Sequence, residues 1–392
     1  MSVIPYGRQD IDEADIAAVV EVLRSDWLTQ GPAIMRFERA VADRCGARHA
    51  VAVSNATAAL HLACRALGLG KGDLLWTSPN TFVASANCAL YCGAKVDFVD
   101  IDAATLNIDP AMLEENLRAA RAAGNLPKVV VPVHFGGQPC DMERISALAA
   151  EYGFAVIEDA SHAIGARYRD APVGCCDHSA ITVFSFHPVK IMTTGEGGML
   201  LTNRDDLYEK LLLLRTHGIT RDAATMTRPV EGAWYYEQIE LGFNYRITDL
   251  QAALGLSQLA RLDRFLERRR AMVARYRDLM RDLPIGFQED TSETQSAFHL
   301  FPIRIDKARA GVDRATVFSR MRNAGIGVNV HYIPVHTQPY YESLGFRRGQ
   351  FPEAERYYDQ AISLPLYYGL SNSDQDRVVE ALRDALGASL DE

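Results

Sequence analysis

The chain has 392 residues, 48% hydrophobic and 23% charged, with a formal net charge of -9. That length is too great for one ordinary core and that balance belongs to globular proteins, so two domains are expected. The scattered acidic residues exclude a nucleic-acid backbone as the main partner, and no apolar run approaches the ~20 residues of a membrane helix.

The opening "MSVIPYGRQDIDEAD" does not read as a signal peptide, and seven cysteines without a CxxC spacing point away from zinc and from a disulfide framework. No metal is expected, and a reduced, cytoplasmic setting fits. The first predicted element is an amphipathic helix, "DIDEADIAAVVEVLRS", whose acidic first turn complements the helix dipole. From residue 48 to 202, seven short apolar runs alternate with helical patterns. The runs are "HAVAVS", "LLWTS", "KVDFVD", "KVVVPVHF", "FAVIED", "AITVFSF" and "GMLLTN". Between them, "TAALHLACRALG", "AMLEENLRAARAAG" and "MERISALAAEYG" carry 3.6-residue periodicity. This alternation predicts an α/β fold with a mostly parallel sheet covered on both faces, where ligands gather at the carboxyl ends of the strands.

Residues 248–281 hold one long helical pattern, on which Arg268, Arg269 and Arg270 read as a solvated face. Beyond residue 285 a strand ("AFHLFPIRI"), a helix ("RATVFSRMRNAG"), a strand ("IGVNVHY") and a final helix ("SDQDRVVEALRDALG") suggest a smaller α+β domain. The expected division is 1–250 for the large domain and 251–392 for a linking helix and the small domain.

The stretch "SFHPVKIMTTGEGG" sets Lys190 between two apolar strands. An amine held among apolar groups loses hydration, becomes neutral more easily and can form a Schiff base with a carbonyl compound. A lysine at a strand end whose ammonium reaches back to water is the plainer alternative. Four other segments bear on the choice. The strand Phe154 to Ile157 delivers Glu158 and Asp159 to its carboxyl end, where a carboxylate can hold a protonated ring nitrogen, or merely cap the next turn. "SNATAALHLACRALG" opens a helix with small residues, as a phosphate requires and as ordinary caps also do. Phe82 can cover a flat ring or pack in the core, and Ser185 can reach a phosphate oxygen or bond to backbone. Pyridoxal phosphate is the one cofactor that uses all of them together. A nicotinamide oxidoreductase is the rival enzyme class, weakened by the lack of GxGxxG after the first strand. A sugar-nucleotide-binding protein without catalysis is the other alternative.

Along nearly its whole length the chain resembles the DegT-type nucleotide-sugar aminotransferases, of the type I fold of pyridoxal-phosphate enzymes. The carriers include "FERAVADRCGARHAVAVSNATAAL", "SPNTFVASANC", "VHFGGQPCDM", "VIEDASHAIGA", "SFHPVKIMTTGEGGML", "LGFNYRITDLQAALGLSQL", "VHYIPVH" and "ISLPLYYGLS". The resemblance implies that Lys190 carries the cofactor as a Schiff base and that Asp159 pairs with its pyridinium nitrogen. It places His162 near the phenolic oxygen and Phe82 on the ring. Thr57 and Ala58, with Ala56 beside them and the Ser185 hydroxyl, would hold the phosphate. It further implies a homodimer with a shared active site, in which Asn244 reaches the partner's site. Tyr6, Asp26, Trp27, Leu28, Thr29, Ala56, Ser185, Asn244, His331, Tyr332, Ile333 and Pro334 would touch a nucleotide sugar. On residues alone, Asp26 to Thr29 also reads as a plain loop, and His331 and Tyr332 as a strand end.

Many relatives have Ser-Gly-Thr where this chain has "NAT", so the loss of glycine at Ala56 is expected to tighten the phosphate turn. Some relatives carry histidine in place of Lys190 and act as dehydratases; lysine favours amino transfer. Within the family, "WYYEQIELGFNYRITDLQAALGLSQL" and "SFHPVK" look most like the branch of pseudaminic acid synthesis. That branch moves an amino group from L-glutamate to C4 of a UDP-linked 4-keto-6-deoxy-N-acetyl hexosamine. Another 4- or 3-aminotransferase, of the UDP-bacillosamine, perosamine or dTDP-amino-sugar type, is the alternative.

Overall fold

The structure is a computed structural model that describes residues 3–387. All seven predicted runs form one sheet: β1 (His49–Val53), β2 (Leu74–Thr77), β3 (Lys95–Phe98), β4 (Val129–Val131), β5 (Ala155–Asp159), β6 (Ile181–Ser185) and β7 (Gly198–Thr202). Their spatial order is β1-β7-β6-β5-β4-β2-β3, and β7 runs antiparallel to both its neighbours while the other pairs are parallel. Residues of β4, β6 and β7 are buried throughout. That accounts for their unbroken apolar sequence, since each face of the sheet meets helices.

Alternate residues of one strand serve opposite cores. Val51 and Val53 pack with α3 (Ala56–Ala66), α4 (Ala84–Tyr91) and the helix Asp205–Arg215. Ala50 and Ala52 pack with Phe37 and Val41 of α2 (Pro32–Cys45). Leu74, Trp76, Val130 and Val156 meet the helices Pro110–Ala123 and Met142–Tyr152. The α/β architecture expected from the sequence, a mostly parallel sheet covered on both faces, is the observed one.

Two expectations from the long pattern at 248–281 need correction. It forms two helices, Asp249–Ala260 and Leu262–Leu279, which part at Arg261. The Arg261 guanidinium is held there by Asp10, Asp12 and the fully buried Asp15, the last belonging to the capping box of α1 (Glu13–Leu23). Three carboxylates around one cation reward the break. The triple arginine is not a solvated face either. Arg269 is 3% exposed and donates to the carbonyls of Phe298, His299 and Leu366 at 3.1, 3.3 and 3.1 Å.

The C-terminal third builds a three-stranded antiparallel sheet, Ile285–Phe287, Pro302–Ile305 and Ala361–Ser363, with Pro302–Ile305 in the middle. The helices Arg314–Asn323 and Asn372–Leu386 pack on it around Tyr276, Met321 and Leu382, and Ile4 from the N-terminal segment joins this core. The run "IGVNVHY" is not a regular strand. Its pairing consists of single bridges, Ile326 to Ile4 and Asn329 to Ser363, and the N-terminal segment lies so close to Gly327 that a Cβ there would lie 2.7 Å from the Ile4 carbonyl oxygen. Among the described residues no helix is long and apolar enough to cross a membrane.

Candidate active site

The carboxyl ends of β1, β5 and β6 open on a cavity of about 620 Å³, where ligands of such sheets bind. Pleating decides which carboxylate of "VIED" reaches it. Glu158 turns away and accepts from His134 Nε2 at 2.8 Å, Ser179 at 2.5 Å and Thr182 at 2.9 Å. Burial alone would raise the Glu158 carboxyl, but these donors hold it below its ordinary value. Asp159 lines the cavity and accepts from the Ser85 hydroxyl at 2.6 Å and from the Ser161 N–H at 3.1 Å.

Lys190 follows β6 in a turn closed by its N–H to the His187 carbonyl, 2.8 Å. The residue is half-buried at the cavity wall, where burial strips hydration from its amine. Loss of hydration pushes that amine down to about 8, with Asp159 opposing part of the shift.

Helix α3 begins on the opposite wall. Asn55 is extended (φ -170°, ψ 168°), and its side chain accepts from the Ala58 N–H at 2.8 Å. Alanine at 56 is simply the first helical residue, so the turn requires no glycine there. The N–H groups of Ala56 and Thr57 have no intrahelical partner, and an anion can take them. The start of β7 presses on this turn: a Cβ on Gly198 would lie 2.6 Å from the Asn55 carbonyl.

Aromatic and imidazole rings form the remaining walls. Phe82 is 56% exposed although it sits at the cavity, so one face of its ring is open. His162 Nε2 lies 3.1 Å from the Tyr332 hydroxyl, and the His162 and His299 ring centroids are 4.4 Å apart. Burial, then the Lys190 charge, lowers His162 well below its ordinary value and His331 to about 4. Burial, then His162, does the same to His299. All three imidazoles are therefore neutral at neutral pH. His331 bonds through Nδ1 to the Ser363 hydroxyl at 2.8 Å, and Tyr6 packs on its ring at 5.6 Å.

The fold thus gathers Ala56, Thr57, Phe82, Asp159, His162, Ser185, Lys190, His331 and Tyr332 around one cavity. Tyr6 stands one ring behind, and Ile333 and Pro334 continue the chain from Tyr332 without lining the cavity. Ala58 faces a second cavity of about 460 Å³ with His61, Tyr91 and Tyr245. Asp26, Trp27, Leu28 and Thr29 are exposed, with Trp27 at a separate surface cleft beside Arg36. Asn244 is exposed as well, bridged to Thr216.

The chain matches the DegT/DnrJ/EryC1/StrS aminotransferase family over residues 9–383. It belongs to that family. It is 42% identical over 386 residues to the spore coat polysaccharide biosynthesis protein SpsC of Bacillus subtilis, covering 97% of this chain and 96% of that one. Among solved structures it is similar to Helicobacter pylori PseC, titled an aminotransferase involved in the biosynthesis of pseudoaminic acid, with TM-score 0.90, 29% identity, and 99% and 100% of the two chains covered. It is also similar to the PLP-form of Spr1654 from Streptococcus pneumoniae, titled a putative sugar aminotransferase, with TM-score 0.88, 30% identity, and 98% and 99% covered.

As a member of this aminotransferase family the chain is a transferase, and its donor set fits pyridoxal phosphate. The Asp159 carboxylate, the desolvated Lys190 amine, the open Phe82 ring and the free N–H groups at the start of α3 are the complements of that cofactor's ring nitrogen, aldehyde, ring face and phosphate. His162 Nδ1 is buried without a partner among the described residues, a cost that a ligand atom beside it removes. Sequence reasoning passed over Thr81, Ser85, His187, Glu196 and His299. Ser85 lay within reach, in "SPNTFVASANC" only three residues beyond Phe82. His299 carried the signal of a polar ring inside an apolar run.

Proposed function

We propose that this chain is a nucleotide-sugar aminotransferase that moves the amino group of L-glutamate to C4 of a UDP-linked 4-keto-6-deoxy-N-acetyl hexosamine. The observation that carries the reading is the desolvated Lys190 amine and the Asp159 carboxylate lining one cavity in an aminotransferase-family chain. The whole-length likeness to PseC supports the choice of sugar. The higher identity to a spore coat polysaccharide protein favours a second reading, in which the acceptor is another nucleotide-linked keto sugar bound for a surface polysaccharide.

Lys190, Asp159, His162, Phe82, Ser185 and the Ala56–Thr57 N–H groups would hold pyridoxal phosphate, with Ala58 fixing the turn through its bond to Asn55. When bound, that group supplies a conjugated ring able to store the electron pair released at the carbon bearing the transferred nitrogen. Lys190 Nζ takes a proton from the α-carbon of glutamate in the first half of the reaction and returns one to C4 of the sugar in the second. An amine near 8 exchanges protons readily at neutral pH, whereas one at the ordinary 10.5 stays cationic. Asp159 keeps the ring-nitrogen proton in place. The apolar walls and Phe82 exclude water, and neutral His331 and Tyr332 offer hydrogen bonds to the sugar without adding charge.

Tyr6, Asp26 to Thr29, Asn244, Ile333 and Pro334 complete the sugar site in a homodimer, where Asn244 of one copy reaches the site of the other. Exposed apolar side chains just before Asn244 support pairing: Trp234 is 73% and Leu241 70% exposed, and Tyr236 and Ile239 are also open. The division near residue 250 is part of the same proposal.

The test is turnover of a panel of UDP- and dTDP-linked 3- and 4-keto sugars with glutamate, products read by mass spectrometry. Amination of the UDP-4-keto-6-deoxy-N-acetyl sugar in preference to the others is expected. Preference for a dTDP sugar moves the assignment to the second reading, and no amination of any sugar overturns both.

A further inference from the structure

We propose that Ser85, backed by Thr81, is a positioning residue that sets the Asp159 carboxylate for the cofactor's ring nitrogen. The inference rests on the reading of Asp159 given above and extends it to two residues that reading does not use.

Three atoms form a buried line. The Ser85 hydroxyl lies 2.6 Å from Asp159 Oδ2, and the Thr81 hydroxyl lies 2.8 Å from the Ser85 hydroxyl. Ser85 is fully buried, and Thr81 and Asp159 are nearly so. Proton counting fixes the direction of the line. An ionised carboxylate only accepts, so Ser85 spends its single proton on Asp159. Its oxygen then accepts the proton of Thr81. Reversing the line while Asp159 is ionised would set two lone pairs against each other at 2.6 Å, away from water.

The consequence is geometric. The terminal torsion of an aspartate is broad and nearly two-fold, so a carboxylate on a strand end does not hold one plane by itself. Here each oxygen has its own donor: Ser85 on Oδ2 and the Ser161 N–H on Oδ1. Two donors on opposite oxygens select one plane and leave the remaining lone pairs for the cavity. Hydrogen bonds to a charged acceptor are about twice as strong as neutral ones, so Ser85 is the stronger of the two constraints.

The same loop carries the ring cover. Thr81 and Phe82 are adjacent, and the Ser85 N–H bonds the Phe82 carbonyl at 3.2 Å. The open aromatic face and the donor to Asp159 thus belong to one turn at the start of α4. A shift of that turn displaces the ring cover and the carboxylate together. This explains why a hydroxyl is needed at a position whose neighbours, Ala84 and Ala86, are small and apolar.

The test uses the full chain loaded with pyridoxal phosphate carrying ¹⁵N in its ring, as wild type and as Ser85→Ala, Ser85→Thr and Thr81→Val. Folding is checked by circular dichroism. Ser85→Ala is expected to move the ring-nitrogen resonance toward the unprotonated position and to weaken cofactor binding about 10-fold, the size of one charge-assisted hydrogen bond. It should lower kcat with little change in KM for the sugar. Ser85→Thr, which keeps the hydroxyl, restores the resonance, and Thr81→Val gives a smaller shift in the same direction. A folded Ser85→Ala chain with the wild-type resonance and affinity overturns the proposal. If Ser85→Ala does not fold, an unshifted resonance in Thr81→Val overturns it instead. A wild-type chain whose bound ring nitrogen is unprotonated overturns the reading of Asp159 itself, which separates that failure from one confined to Ser85.

Discussion

The Tyr332 hydroxyl and His162 Nε2, 3.1 Å apart, join the chain just past β5 to a segment 170 residues later. Burial raises the Tyr332 hydroxyl far above its ordinary value, so it stays protonated. The same effect keeps His162 neutral, with one donor and one acceptor nitrogen. Tyr332 has no other acceptor among the described residues, so Nε2 accepts its proton. Nδ1 then carries the hydrogen and is the atom left unpartnered. Replacing Tyr332 by Phe removes the partner of Nε2 and leaves both nitrogens unmatched. The cofactor-free Tyr332→Phe chain is expected to lose about 1–3 kcal/mol of stability in urea unfolding. An unchanged midpoint would mean that the contact contributes nothing.

Lys190 sets a pH dependence with a definite sign. Its folded value, about 8, lies below the ordinary 10.5 because burial disfavours the cation. Between those two values the unfolded chain binds more protons than the folded one, so stability rises with pH across that window and the rise ends as the unfolded lysine titrates. Below pH 8 both states are charged and the full penalty applies. In the cofactor-free chain, modification of Lys190 by trinitrobenzenesulfonate should reach half its limiting rate close to pH 8. A midpoint near 10.5 would show that the amine is not desolvated. Lys190→Met should lack this part of the pH-dependent rise in stability. Its turnover with glutamate should fall by about 10²- to 10⁴-fold or more, the usual worth of a positioned proton carrier.

Adjacent carboxylates on β5 should respond oppositely to loss of charge. Asp159→Asn keeps a side-chain oxygen for the Ser85 hydroxyl, so the fold should survive. Turnover should drop by about 10²-fold or more, since a preorganised charge in a site sheltered from water is lost. Glu158→Gln removes no group from the cavity, because Glu158 is closed off by His134, Ser179 and Thr182. That variant is expected to lose about 1–3 kcal/mol of stability and to keep kcat near the wild-type value. Steady-state kinetics beside urea unfolding separate the two. Equal loss of turnover in both variants would erase the distinction drawn from the pleat.

What could be read from the residues follows a physical line. The seven strands were legible because a sheet covered on both faces needs unbroken apolar runs, and each run ends at a turn. Lys190, Asp159 and Phe82 were legible because each breaks its local pattern at a strand end or just beyond one. Ser85 and His299 were harder to see. A serine among alanines on a helix is unremarkable until its partner Asp159, at the end of β5, is known, and His299 acquires meaning only against His162. The pairing of "IGVNVHY" is likewise non-local, since its bridges go to Ile4 and Ser363, both far away in sequence.

Arg269 shows the same limit with a measurable consequence. In a helical pattern rich in Arg, Asp and Glu, three successive arginines read as surface, because nothing local tells one apart from its neighbours. The structure separates them by what lies opposite. Arg269 faces the ends of two loops whose carbonyls, Phe298, His299 and Leu366, have the guanidinium as a shared donor. Burial lowers Arg269 only to about 10, so it stays cationic at neutral pH and its charge strengthens each bond. Arg269→Met fills the volume but leaves the carbonyls without this donor, and should cost about 3 kcal/mol or more. Arg270 makes one long contact, 3.5 Å to the Ser296 carbonyl, so Arg270→Ala should cost no more than about 1 kcal/mol. Because the His299 carbonyl is one of the three acceptors, Arg269→Met should also loosen the His299 ring that packs tilted against His162 and weaken pyridoxal phosphate binding, whereas Arg270→Ala should not. Urea midpoints and cofactor titration of the two variants decide it: equal costs for both would return Arg269 to the surface face that its sequence suggests.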